Sequence, residues 1–368
     1  MQSSAFSSTS AILLLSVTVL LCSTAAVGGR LKLGNNVTVA GLLAFGDSII
    51  DPGNNNNLKT VAKCNFPPYG KDFMGGVPTG RFSNGRIPTD LIVEALGLKE
   101  YLPAYLDPNL NPQDFLTGVS FASGATGFDP MTSKIVSVLS LSDQLNLFKE
   151  YLEKLESMVG EERKDFIISN SLFLVVASSD DIANTYFDTP FRRAEYNIDA
   201  YTDLMVNSAS SFVKALHGLG ARRMGLFSAP PLGCLPSQRT IGGGPLRECA
   251  KKYNDAAELF NSKLSAALDS LDRELPNSTV LYIDIYNPLL DLIQNPQKYG
   301  FEVVDKGCCG TGTIEVSILC TKLDAVCPDT SKVIFWDSYH PTERAYTIII
   351  DALAQKYINK IFAPKQHA

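Results

Sequence analysis

The sequence predicts an α/β protein, a parallel β-sheet with helices on both faces. Two observations carry this expectation. Short apolar runs rich in β-branched residues and bounded by turn residues recur along the chain, at Leu42 to Phe45, Leu172 to Ala177, Met224 to Phe227 and Val280 to Ile285. Longer segments with apolar residues at helical spacing lie between them. Buried strands that alternate with amphipathic helices place crossover helices over both faces of a parallel sheet.

Taken in order, the chain begins with an apolar run from Ala11 to Cys22 followed by Ser23-Thr24-Ala25-Ala26. A dozen or so apolar residues is too few to span a bilayer, and small residues after them suit signal-peptidase cleavage. Residues 1–27 are therefore expected to be a secretory leader, although no Lys or Arg precedes the run. The remaining residues, 28–368, are expected to form one α/β domain carrying insertions. With 45% hydrophobic and 19% charged residues the composition is that of a globular protein. A net charge of −6 gives no support to nucleic-acid binding, which needs a basic face. No second apolar span is present for a membrane anchor.

The first strand runs out into Gly46-Asp47-Ser48, and Pro52, Gly53 and four asparagines follow shortly. Ser48 thus falls at the carboxyl end of a strand, the edge at which open α/β sheets bind ligands, and its hydroxyl is a candidate nucleophile. By itself Gly-Asp-Ser is an ordinary turn with a capping side chain. A nucleophile also needs a base, and the chain has only three histidines. His367 is next to the C-terminus, and His217 sits where a helix stops at a glycine. His340 remains, just beyond the apolar run Val333 to Trp336. Asp337 lies three residues before it, close enough for one turn to aim a carboxylate at the imidazole and fix the tautomer that accepts a serine proton.

The clearest helix starts at Leu141, with Leu141, Leu145, Phe148, Leu152, Leu155 and Val159 on one stripe and Glu150 and Lys154 placed as an i,i+4 pair. The charge run Glu161 to Asp165 reads as its solvated exit. Further helices fit Tyr201 to Leu216, Cys249 to Leu275 and Thr342 to Ile361. Removing the leader takes away Cys22 and leaves seven cysteines. Cys234 with Cys249 could staple one loop, and the cluster Cys308, Cys309, Cys320 and Cys327 could close another. Adjacent Cys308-Cys309 lacks the ordinary spacing of zinc ligands, so disulfides are expected and a metal is not. Two acceptor patterns for N-glycosylation occur, at Asn36 and Asn277.

Phe45-Gly46-Asp47-Ser48 near the start and Asp337-x-x-His340 near the end resemble the first and last blocks of the GDSL (SGNH-type) esterase/lipase family. Gly118-Val119-Ser120-Phe121-Ala122-Ser123-Gly124 resembles its second block, and Val175-Val176-Ala177-Ser178-Ser179-Asp180-Asp181-Ile182 its third. Matching stretches include Pro78 to Arg86 and Pro230 to Pro236, and the tract Asp181 to Phe187 is similar to that of the extracellular-lipase-type plant branch. The resemblance implies the three-layer, flavodoxin-like fold of that family. It also implies Ser48 as nucleophile, His340 as general base and Asp337 as its orienter, with no cofactor. Backbone N–H groups of Ser48 and of Gly124 or Ala125 would face the oxyanion.

At Asp180 the family pattern has an asparagine whose amide donates to the oxyanion, and an ionised carboxylate donates nothing. Losing one such donor typically costs roughly 10²- to 10³-fold in kcat. Burial could keep Asp180 protonated, or it could turn away and leave the site to backbone donors. The sequence is therefore read as a secreted serine esterase acting on acyl esters or lipids. Acyl transfer to another alcohol and a weakly active or non-catalytic ligand-binding role are the alternatives.

Overall fold

In the computed structural model, which describes residues 37–312, 314–315 and 320–363, the sheet is built on Leu42–Gly46. All five residues of this strand, β1, are buried, as a strand covered on both faces requires. It pairs in parallel with β2 (Leu172–Val176), which pairs with β3 (Arg223–Phe227), and β3 pairs with β4 (Thr279–Ile283). The expected leader, Cys22, Asn36 and His367 lie outside the described residues.

A further segment, 117–123, runs along the free side of β1. Leu42 and Ala44 donate to the carbonyls of Thr117 and Val119, while Phe121 and Ser123 donate back to Ala44 and Gly46. With this segment counted as an edge of the sheet, the order across it is segment 117–123, β1, β2, β3, β4, which is the flavodoxin-like order with its switch point at β1. This segment was not foreseen as a strand, because Gly118, Ser120 and Ser123 interrupt its apolar pattern. Gly118 is needed where it stands, since its φ is 96° and a Cβ would lie 2.0 Å from the Leu42 carbonyl oxygen.

Helices cover both faces. On one, Phe45 of β1 meets Phe148 of helix Leu141–Val159 and Phe212 of helix Ile198–Gly218 edge on, with Phe173 of β2 alongside. Each buried ring stabilises the fold by about 1.5–3 kcal/mol. On the other face Leu172 and Leu174 line a small cavity together with Ile92 of helix Pro88–Ala95 and Ile350 and Leu353 of helix Glu343–Ile361. The helix starts follow from local chemistry, for Ser140 and Asp143 form a reciprocal cap on Leu141–Val159, and Thr342 accepts from Ala345 N to begin Glu343–Ile361.

Two local expectations change. Glu161 to Asp165 does not end a helix but opens a new one, Glu161–Ser169, because Gly160 at φ 79° breaks the chain and two glutamates suit a helix N-terminus. Lys154 bonds the Tyr105 hydroxyl at 2.8 Å rather than Glu150. Val333–Phe335 is a strand, yet it stays out of the main sheet and pairs with Val303–Gly307. Disulfides join Cys234 to Cys249, Cys308 to Cys327 and Cys309 to Cys320, which leaves Cys64 buried and unpaired among the described residues.

Candidate active site

The carboxyl edge at the switch point collects residues from several separate stretches of chain. β1 ends at Gly46, whose φ is 133° and whose Cβ position lies 1.8 Å from the Val176 carbonyl oxygen. Only glycine lets the chain leave the sheet this way. Gln144 holds that peptide, accepting from Gly46 N at 2.7 Å and donating to its carbonyl at 2.9 Å. Asp47 then caps a single turn, Ser48–Ile50, by accepting from Ile49 N at 3.0 Å. The turn lifts Ser48 out of the sheet edge.

His340 arrives from the other end of the chain. Beyond Val333–Phe335 a tight turn, closed by Trp336 N donating to the His340 carbonyl at 2.7 Å, brings Asp337 and His340 together. His340 Nε2 is 2.7 Å from Ser48 Oγ, and its Nδ1 is 2.9 Å from Asp337 Oδ2. Asp337 is itself held on all sides. Its Oδ1 accepts from the N–H groups of Tyr339 and His340 at 2.8 and 2.7 Å, and its Oδ2 accepts from the Tyr69 hydroxyl at 2.8 Å. Burial opposes its charge, but the His340 ring and these donors outweigh burial and keep the carboxyl below its ordinary pKa. A serine, imidazole and ionised carboxylate in this order can pass a proton from Oγ to Nε2 as the oxygen attacks an electrophile.

The two second-block candidates separate. Gly124 N–H donates to Asp51 Oδ2 at 2.9 Å and so helps to hold the loop. Asp51 also accepts from Gly53 and Asn54, and burial pushes its carboxyl up to about 6. Ala125 N–H has no partner among the described residues, and neither has Ser48 N–H. Ala125 sits at φ 68°, a conformation that costs a non-glycine residue roughly 1–2 kcal/mol.

Asp180 follows β2, and its carboxyl is raised to about 6, chiefly by burial, with the His340 ring and a hydrogen bond from Asn184 working against it. Asn184 Nδ2 donates to Asp180 Oδ1 at 2.6 Å, and Asn184 Oδ1 accepts from the Tyr339 hydroxyl at 2.6 Å. Gln238 Nε2 donates to that hydroxyl at 3.0 Å, so the amide's orientation is fixed. One Asn184 N–H stays unused among the described residues. Asp47 is buried beside Asp180, and burial first, then that neighbour, hold its carboxyl well above the ordinary range.

Ser48, Ala125, Asp180, Asn184 and His340 open onto one cavity of about 560 Å³. Its inner wall is apolar, made by Phe227, Pro230, Ile285, Leu289, Ile349 and Ile350. Among the described residues Cys309, Cys320 and Asp324 are the one grouping with metal-ligand character, and its two cysteines are joined in a disulfide. Asn277 is exposed in a turn before β4, and His217 closes its helix with Nε2 3.1 Å from the Pro276 carbonyl.

Four residues of the site had not been singled out. Asp51 had a local signal, an acidic residue before Pro-Gly, which favours a side-chain-closed turn. Tyr69, Gln144 and Asn184 carry no local signal at all.

A family model described as GDSL-like lipase/acylhydrolase matches residues 42–353. The chain is 60% identical to the Arabidopsis thaliana GDSL esterase/lipase EXL3 over 330 residues, covering 89% of this chain and 90% of that protein. It is 50% identical to GDSL esterase/lipase EXL2 of the same plant over 355 residues, covering 92% and 93%. The chain is a carboxylic-ester hydrolase and belongs to the GDSL-like lipase/acylhydrolase family.

Proposed function

We propose that the protein is a secreted serine esterase that takes acyl esters with an apolar chain and works through an acyl-enzyme on Ser48. The observation that carries this reading is the unbroken line from Ser48 Oγ through His340 to Asp337, at 2.7 and 2.9 Å. Ser48 Oγ attacks the ester carbonyl while His340 Nε2 takes its proton, and the imidazolium then protonates the leaving alkoxide. Water, activated by the same nitrogen, releases the acid. The apolar inner wall of the cavity supports a hydrocarbon acyl chain, for each CH₂ taken from water there favours binding by about 0.8 kcal/mol. Three disulfides among the described residues and the apolar run at Ala11 to Cys22 support export, with residues 1–27 removed. The test is hydrolysis of short- and medium-chain p-nitrophenyl esters together with labelling by a fluorophosphonate. Phosphonylation of Ser48 and turnover that improves with acyl length support the reading, and an unlabelled, inactive protein overturns it.

In the same reading the oxyanion takes N–H donors from Ser48, Ala125 and the free hydrogen of Asn184 Nδ2. Asp180 then serves as the acceptor that aims this amide. Asn184→Ala is expected to lower kcat by roughly 10²- to 10³-fold with little change in KM, and an unchanged kcat would remove Asn184 from the hole.

Asp180 also makes stability depend on pH. Its folded pKa of about 6 lies above the ordinary value of 3.8. The native state therefore binds the proton more tightly, and the stability this contributes is fully present below the ordinary pKa and is lost as pH rises through about 6. Asp180→Asn has no proton to lose. The stability of Asp180→Asn relative to the parent is expected to climb between about pH 4 and pH 7, by roughly 2 kcal/mol or less given partial exposure, and its melting temperature relative to the parent climbs with it. Thermal melts of both proteins across that range check the sign.

A further inference from the structure

Outside the site itself, the most unusual surface is one side of the cavity mouth. Val61, which lines the cavity, is 90% exposed, and Leu323, two residues beyond the lining residue Thr321, is 95% exposed. Phe66 also lines the mouth, and the exposed Ile135 adjoins the lining residue Val136. These segments touch. Thr60 Oγ1 donates to the Val136 carbonyl at 2.7 Å, and Lys322 Nζ lies 6.0 Å from the centre of the Phe66 ring. Lone exposed apolar residues are normal, but a group of them around a cavity mouth marks a contact surface.

The charges on this side run against the rest of the protein. The chain has 38 acidic and 32 basic residues. Lys59, Lys63, Lys134 and Lys322 nevertheless stand on these same segments, and none makes an ion pair among the described residues. The only carboxylate there, Asp324, accepts from Thr321 N at 2.6 Å. Asp188, which also lines the cavity, is bonded by the Tyr253 hydroxyl. Apolar side chains held at the surface among unpaired lysines have the composition that partitions into a lipid interface and is drawn to its anionic headgroups. A soluble polyanion would use the lysines and leave Val61 and Leu323 without a role.

We propose that this side of the mouth docks the protein on a lipid surface carrying negative charge, with the cavity opening toward the lipid. An ester would then pass from that surface to Ser48 with less exposure of its chain to water. The docking is independent of the catalytic reading and is measured without turnover.

The experiment is sedimentation of the full chain carrying Ser48→Ala with phosphatidylcholine vesicles, with and without phosphatidylglycerol. Binding is expected to need phosphatidylglycerol and to weaken with salt. Combining Lys59→Gln, Lys134→Gln and Lys322→Gln should weaken it on the order of 100-fold, at about fivefold for each lysine. Leu323→Asp alone should weaken it about tenfold or more. None of these four residues lines the cavity, so in the Ser48 background hydrolysis of a soluble short-chain ester should be retained, which also shows that the variants fold. Absence of vesicle binding, or equal binding by parent and triple variant, overturns the proposal. So does loss in the triple variant with none in Leu323→Asp, which would describe a polyanion site. Loss of ester hydrolysis by the parent would overturn the catalytic reading and leave the docking result standing.

Discussion

Replacing Ser48 by alanine is expected to lower kcat for an ester on the order of 10⁶-fold, His340→Ala by a similar factor, and the double variant by no more than either. The reason lies in the single hydrogen bond that links them. Ser48 Oγ is a weak nucleophile until Nε2, 2.7 Å away, accepts its proton, and the imidazole has no other contact with the reacting atoms in this arrangement. Each residue is therefore idle without the other, and their effects cannot multiply. Residual activity would come from the remaining donors and from binding in the cavity. Ser48 is only 9% exposed, and removing one oxygen there disturbs little packing, so its melting temperature should match the parent. Steady-state kinetics on all three variants decide the matter. A double variant far slower than both singles would mean that the two residues act separately, and a Ser48→Ala protein near parental activity would move the nucleophile elsewhere.

How much of this could be read from the chain differs by residue. β1 was legible because four buried apolar residues end at a glycine and an aspartate, and His340 was legible because the other two histidines sit where a helix stops and at the chain end. Ends of helices were legible where a capping side chain marks them, as at Ser140 and Thr342. The strand beside β1 was not, since Gly118, Ser120 and Ser123 are chosen for close approach and hydrogen bonding rather than for a buried face. Nor was the choice between Gly124 and Ala125, which turns on Asp51 reaching back over 73 residues to take the Gly124 N–H. Asn184 escaped notice for the same reason. Its partners, Asp180, Tyr339 and through it Gln238, are brought to it by the fold, and only Asp180 is near in sequence. Local patterns encode elements and their ends, whereas the second layer of a site is written in contacts between distant segments.

The other large effect is at Asp337. Changing Asp337 to asparagine preserves shape while reversing the two hydrogen bonds at Oδ2, and it is expected to lower kcat by about 10⁴-fold. In the parent, Oδ1 takes the Tyr339 and His340 N–H groups, so the side chain has no freedom to rotate. An asparagine must keep its oxygen there, because backbone donors cannot accept from an amide. Its nitrogen then occupies the place of Oδ2, facing His340 Nδ1 at 2.9 Å and the Tyr69 hydroxyl at 2.8 Å. The hydroxyl can accept as well as donate and accommodates the change. Imidazole Nδ1 must now accept, which moves its proton to Nε2, the nitrogen that has to take the proton from Ser48. The fold is undisturbed but the base is in the wrong tautomer. Raising the pH should restore part of the rate, since hydroxide can take the serine proton directly, and the pH profile separates this account from simple misfolding. A variant with parental kcat at neutral pH would mean that Asp337 does not set the tautomer. A loss that is flat with pH and accompanied by a lowered melting temperature would show instead that its main work is to tie Tyr69 and the His340 turn together.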